Sequence, residues 1–308
     1  MPTRDQLLAL NDELRRLKAG GQRAVSVSEE GLAQLREAVT AAQEDGTAET
    51  ASITTAPFLM AEPSKPVVRT VAPAASVPAI PVAPDLKLPA GDKPAQWNFL
   101  RDLVLNDATC KAKVYPGKQV VFGVGNLDAR IMFVGEAPGG DEEDQGEPFV
   151  GRAGQLLNKM IKAMGLERGQ VYIGNILNWR PEMGTRNADG SQTGNRPPTA
   201  QEMAYCLPFI RAQIAIIRPK VLVALGKTAV DGLLGAERFK SMGAARGSWH
   251  SYADTPLRAS YHPSYLLRQE GLTSAAAKKI KRDAWEDMLA VMERAEVPVS
   301  EKQRNYFL

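Results

Sequence analysis

The stretch RIMFVGEAPGGDEEDQGEPFVGRAGQLLNKMIKAMG, residues 130–165, decides the fold. Its opening RIMFVG (130–135) is a short apolar run that reads as a strand, and GRAGQLLNKMIKAMG (151–165) spaces its apolar side chains as a helix does. The alternation recurs downstream. VYIGNIL (171–177), KVLVALG (220–226) and LRASY (257–261) read as strands. TAQEMAYCLPFIRAQIAII (199–217), KTAVDGLLG and SAAAKKIKRDAWEDMLAVMERA (274–295) read as helices. Strands separated by helices of this length imply an α/β fold, a three-layer αβα sandwich with a central four-stranded parallel sheet. In such sheets ligands bind at the carboxyl ends of the strands, and the polar clusters of this sequence follow the strands.

Upstream the character changes. Nine of the 21 prolines fall between Pro57 and Pro94 in an Ala- and Val-rich stretch, which reads as an extended linker because proline fixes φ and removes a backbone donor. Before it, Leu7, Leu10, Leu14 and Leu17 share one helical face, and SVSEEGLAQLREAVTAAQ forms a second candidate helix with Ser28 as N-cap. The expected organisation is a helical segment (1–50), a disordered Pro/Ala-rich linker (51–96), a catalytic domain (97–295) and a C-terminal tail (296–308). The 308 residues are 44% hydrophobic and 24% charged, as in a soluble globular protein. The formal charge of +3 divides unevenly: residues 1–96 carry 10 basic and 12 acidic side chains, so the surplus lies in the domain after the linker. With no apolar run near 18 residues and no signal-peptide core, a cytoplasmic protein is expected. The two cysteines, Cys110 and Cys206, are expected as thiols and cannot alone complete a four-ligand metal site.

Four clusters carry candidate chemistry. After the first strand, Gly135-Glu136-Ala137-Pro138-Gly139 makes a tight turn with free backbone N–H groups, followed by five carboxylates, Asp141, Glu142, Glu143, Asp144 and Glu147. A solvated acidic turn is their plain explanation; yet Phe149 and Val150 bring the loop back to the body, where a carboxylate beside an aromatic suits catalysis. Asn175 ends the second strand with a donor and an acceptor side by side, suited to a base edge. The long loop after it carries Arg180, Arg186 and Arg196, residue types that contact phosphates. The last strand leads into His262-Pro263-Ser264-Tyr265-Leu266-Leu267-Arg268. G-x-G-x-x-G and the P-loop lysine are missing, which weakens a nucleotide- or coenzyme-binding reading.

Taken in order, VVFGVGNLDARIMFVGEAPGGDEEDQGEPFVGRAGQLLNKM, the strand ending in Asn175, the GNRPPT turn, PKVLVALGKTA and HPSYLLR resemble the uracil-DNA glycosylase superfamily, most of all its family 4, the iron–sulfur type. The resemblance implies a monofunctional DNA N-glycosylase of base excision repair acting on uracil-containing DNA, single- or double-stranded, as a monomer. It implies Glu136, Glu142 and His262 as catalytic, with Ala137 where classical members have an Asp. Gly135, Ala137, Phe149, Asn175 and His262 would hold the uracil, Phe149 by stacking and His262 by a hydrogen bond to O2. Gly139, Arg180, Arg196, Ser264, Leu266, Leu267 and Arg268 would hold DNA, the leucines filling the gap left by the extruded base.

The sequence departs from family 4 at the cluster. Cys110 and Cys206 match the first and fourth ligands, but Lys113 and Trp179 stand at the second and third. No cluster and no other metal or cofactor is therefore expected, with Trp179 packing and the arginine-bearing loop taking over its structural role. A competing class is a protein that binds uracil or abasic DNA without turnover; the histidine some superfamily members use for covalent attachment is missing from residues 178–198. The ending Gln303-Arg304-Asn305-Tyr306-Phe307-Leu308 loosely resembles a sliding-clamp-binding peptide.

Overall fold

A computed structural model describes residues 80–184, 187, 192–269 and 274–307. The two helices expected before the linker, most of the linker itself, and Arg186 lie outside the described residues. The order is α1 (Lys93–Asn106), α2 (Ala108–Lys113), β1 (Val124–Gly125), β2 (Ile131–Gly135), α3 (Gly140–Gln145), α4 (Arg152–Ala163), a 3₁₀ turn (Arg168–Gln170), β3 (Tyr172–Asn175) and α5 (Ala200–Ile217). Then come β4 (Val221–Leu225), α6 (Lys227–Leu234), α7 (Met242–Ala245), β5 (Trp249–Tyr252), β6 (Thr255–Ser260), α8 (Pro263–Leu267), α9 (Ala275–Arg294) and α10 (Glu301–Arg304). No helix among the described residues is long and apolar enough to cross a membrane.

The sheet has six strands in the order β1-β3-β2-β4-β6-β5. Its four central strands are the expected parallel set. The edges β1 and β5 pair antiparallel and extend the expected four to six. Both faces are covered, and the period of two decides what each strand residue meets. Met132 and Val134 join a core with Leu100 of α1, Phe209 and Ile210 of α5 and Val230 of α6. Their neighbours Ile131 and Phe133 join the other, with Leu157 and Ile161 of α4 and Trp285 and Met288 of α9. Strands buried on both faces must be apolar throughout, and β2 and β4 are buried at every residue.

The register aligns the strand ends. Gly135 pairs with Asn175, and Leu225 with Ser260. The chain leaves β2 toward β3 on one side and returns to β4 on the other, so a crevice opens at these carboxyl ends. The segment after α9 folds back: Val297, Val299 and Tyr306 pack on the core of that face.

Candidate active site

A cavity of about 570 Å³ lies at the carboxyl ends of the parallel strands, walled by Glu136, Phe149, Asn175 and His262 among others. It gathers residues from all four sequence clusters. Gly135 lies against two of these residues. A Cβ there would overlap Asn175 Oδ1 and stand 2.5 Å from Phe149 Cε2, so the strand must end in glycine for the ring and amide to sit over it. Asn175 Oδ1 is buried with no hydrogen-bond partner among the described residues. A buried acceptor left unpaired costs about 1–3 kcal/mol, and such orphans mark places where something else belongs.

Phe149 closes one wall. It is buried with φ 55°, a left-handed conformation that a bulky residue rarely takes. Across the cavity its ring lies 5.6 Å from that of His262, inclined by 33°. His262 caps α8: its Nδ1 accepts from the Ser264 backbone N–H at 3.2 Å and lies 2.8 Å from Ser264 Oγ. An Nδ1 that accepts leaves the neutral ring's proton on Nε2. Burial, and next the charge of Arg268, pull this imidazole down from 6.5 to about 4, so it is neutral at pH 7.

The carboxylates differ sharply in environment. Glu136 Oε2 accepts from Thr228 Oγ1 of α6 at 2.8 Å, and burial raises its proton affinity despite that bond. Glu142 is held by three backbone N–H groups: Gly139 to Oε2 at 3.0 Å, and Val150 and Gly151 to Oε1 at 3.0 and 2.9 Å. Glu143 forms a buried ion pair with Arg180 at 2.9 Å. The acidic run is thus not a solvated turn. It is the helix α3, with two of its carboxylates turned inward. Asp141 stays exposed and lines the cavity.

Three of the residues expected to hold DNA also have partners or packing within the protein, and one of them, Arg196, lines the cavity. Arg180 is buried, with Nε on Asn195 Oδ1, Nη1 on Glu143, and Nη2 on the carbonyls of Gln192 and Gly194. Four of its five N–H donors are thus engaged within the protein, and the guanidinium ties the loop down. Arg196 makes a two-pronged pair with Glu202, 2.7 Å in each arm, and bonds the carbonyls of Glu182 and Pro197. Leu266 is buried at 7% exposure; only Leu267 and Arg268 of that pair of leucines and arginine remain open to solvent. Gly139 and Ser264 do line the cavity, beside Ala137. Thr228 and Arg168 were missed: one is an ordinary threonine opening a helix, the other an arginine in a turn, and neither carries a local pattern.

The two cysteines meet where α2 approaches α5. Both are buried, and the Cys110 thiol is hydrogen-bonded to that of Cys206; this contact first, then burial, pushes Cys110 up. Trp179 is fully buried against Tyr205, ring centres 6.1 Å apart. Among the described residues no group of three or more His, Cys, Asp or Glu is arranged to hold a metal ion. Two thiols, an ammonium and an indole are not the donor set of an iron–sulfur cluster.

Comparisons with known proteins agree on one region. The family model described as Uracil DNA glycosylase superfamily matches residues 122–289. A type-4 uracil-DNA glycosylase of Thermotoga maritima is 43% identical over 150 residues, 48% of this chain and 72% of the relative. A type-4 uracil-DNA glycosylase of Pyrobaculum aerophilum is 33% identical over 187 residues, 59% of this chain and 89% of the relative. A type-5 uracil-DNA glycosylase of the same organism is 31% identical over 170 residues, 53% of this chain and 74% of the relative.

Proposed function

The chain belongs to the uracil DNA glycosylase superfamily, and from that premise we propose that it is a uracil-DNA glycosylase of the type-4 kind. It hydrolyses an N-glycosyl bond: water adds to C1′ of deoxyuridine, the bond from C1′ to N1 breaks, and uracil leaves with a proton, giving an abasic site for base excision repair. The observation that carries this reading is the unpaired amide of Asn175 beside Phe149 and Gly135. An amide whose oxygen has no partner among the described residues can meet a base edge that offers a donor and an acceptor together, as uracil does at N3 and O4. Cytosine reverses both groups.

The base lies inside the duplex, so it must be extruded at a cost of about a few kcal/mol. Leu267 is the side chain we assign to the vacated space, since Leu266 is turned inward. Ser264, Arg268 and the backbone N–H groups near Gly139 would hold the strand. Phe149 stacks on the extruded ring. As the bond breaks, negative charge grows on uracil O2, and the neutral His262 ring donates its Nε2–H there, an interaction worth about 3 kcal/mol in a water-poor site. Of the two candidate glutamates we assign Glu136 to the positive sugar and its attacking water. Both oxygens of Glu142 are engaged by backbone, whereas Glu136 has one oxygen left for the cavity.

We further propose that the protein works without an iron–sulfur cluster, on the mismatch of Cys110, Lys113, Trp179 and Cys206 with a four-thiolate site. In the C-terminal segment Gln303 donates to the Ala163 carbonyl at 2.7 Å, its own carbonyl accepts from Trp285, and the Tyr306 ring lies 5.3 Å from that of Trp285; clamp binding by this segment stays a proposal, read by pull-down with and without the last six residues. The test is release of free uracil from a labelled oligonucleotide, with thymine and cytosine controls and iron measured on the same sample. Uracil bound but never released would favour the non-turnover reading.

A further inference from the structure

We propose that Arg168 is the positioning residue that sets the base-stacking ring of Phe149, an inference that rests on reading the cavity as a base pocket. Phe149 needs holding, because its φ of 55° lies where a bulky side chain is strained. A strained residue persists only when its surroundings over-determine it, and the segment 148–151 is gripped from two sides. Glu142 takes the N–H groups of Val150 and Gly151. Arg168 takes the carbonyls: its Nη2 donates to Pro148 O at 2.6 Å and its Nη1 to Phe149 O at 3.2 Å. Nη1 also donates to Asn158 Oδ1 at 3.1 Å, which ties the same guanidinium to α4.

The fork matters. A planar guanidinium can reach two successive carbonyls and a side-chain amide at once, where a lysine ammonium on its flexible stem holds no such plane. Gly154 completes the seat, for a Cβ at that position would fall within the Phe149 carbonyl. Arg168 opens the 3₁₀ turn that leads directly into β3 and so to Asn175. One short segment thereby fixes both the ring that covers the base and the amide that reads its edge. Arg168 touches neither base nor sugar in this account; it acts through Phe149.

The test compares Arg168→Met, Arg168→Lys, Phe149→Ala and the double variant Arg168→Met/Phe149→Ala in the full chain. For Arg168→Met the single-turnover rate of uracil release is expected to fall about 10- to 100-fold, the cost of misplacing a group by about 1 Å, with KM for the DNA nearly unchanged. Arg168→Lys should recover only part of the loss. The double variant should be no slower than Phe149→Ala alone; multiplied losses would overturn the proposal, since two residues acting through one ring cannot add. A fluorine label provides a readout without turnover. With 4-fluorophenylalanine placed only at position 149, the ¹⁹F resonance should move or broaden in Arg168→Met, and an unchanged resonance would equally overturn the proposal. Should that variant fail to fold, Arg168→Lys serves for both measurements. A wild-type chain that releases no uracil refutes the functional reading, while the fluorine signal still decides the role of Arg168.

Discussion

His262 offers the sharpest quantitative test, because the chain has only two histidines and this one is displaced far from its ordinary proton affinity. In the unfolded chain it should titrate near 6.5; in the folded protein, burial and Arg268 bring it to about 4. Between those values the unfolded chain binds a proton that the folded protein does not, so stability rises with pH through that window and is lost as pH falls. The gap corresponds to about 3 kcal/mol at 1.36 kcal/mol per pH unit. Below pH 4 the contribution is gone, and above 6.5 it is fully present. Urea unfolding of wild type and His262→Gln at pH 7 and pH 4 should therefore show the wild type losing about 3 kcal/mol more than the variant. NMR titration, with His250→Gln to remove the other ring, should find His262 protonating near 4. The same neutrality predicts a uracil-release rate without an inflection at pH 6.5. A ring titrating at 6–7, or equal pH slopes for wild type and variant, would refute the reasoning and leave His262 as an imidazolium donor.

Other substitutions separate structural from chemical roles. Asn175→Ala removes a buried unpaired acceptor, so thermal stability should hold or rise while the rate falls about 100-fold or more, read by melting and single-turnover assay. Arg180→Met leaves Glu143 charged and buried without its partner, and denaturant unfolding should show a loss of about 3–5 kcal/mol with little change in DNA affinity of the folded protein. Leu266→Ala should destabilise by about 2–4 kcal/mol, whereas Leu267→Ala should leave stability within about 0.5 kcal/mol and slow release from duplex more than from single strands. Trp179→Ala should cost about 3–5 kcal/mol by urea unfolding, while iron chelation of the wild type changes nothing.

The parallel core was legible because burial on both faces forces apolar continuity, as in IMFVG and VLVAL. The edges were not. Trp249–Tyr252 mixes Trp, His, Ser and Tyr, with only one face against the protein, and β1 is two residues long, too short for any period to show. Placement of Phe149, Asn175 and His262 around one cavity was legible as strand ends brought to a common edge. What the charged residues touch was not. GDEEDQ reads as solvent-facing until the returning loop's N–H groups are seen on Glu142 and Arg180, 37 residues on, is seen on Glu143. Arg180 makes the same point: an arginine's sequence context says that it seeks an anion, and only the fold shows Glu143 beside it.

The corner around Cys110 carries that lesson further, since its contacts too join residues far apart in sequence. Asp107 accepts from the Cys110 backbone N–H at 2.7 Å and from the Tyr205 hydroxyl at 2.9 and 3.0 Å, joining the start of α2 to α5 by hydrogen bonds. Tyr205 then stacks between Trp179 and Phe209, edge-on to the latter with ring centres 6.0 Å apart. Burial first, relieved in part by Thr109, pushes the Tyr205 hydroxyl up to about 12, so it stays protonated and donates. The contact with Cys206, and next burial, push the Cys110 thiol up. The indole fills volume without using its N–H, which is unpaired among the described residues. An aromatic cluster and a carboxylate clasp thus join α2 to α5 through side chains of the chain itself, whatever else the corner holds.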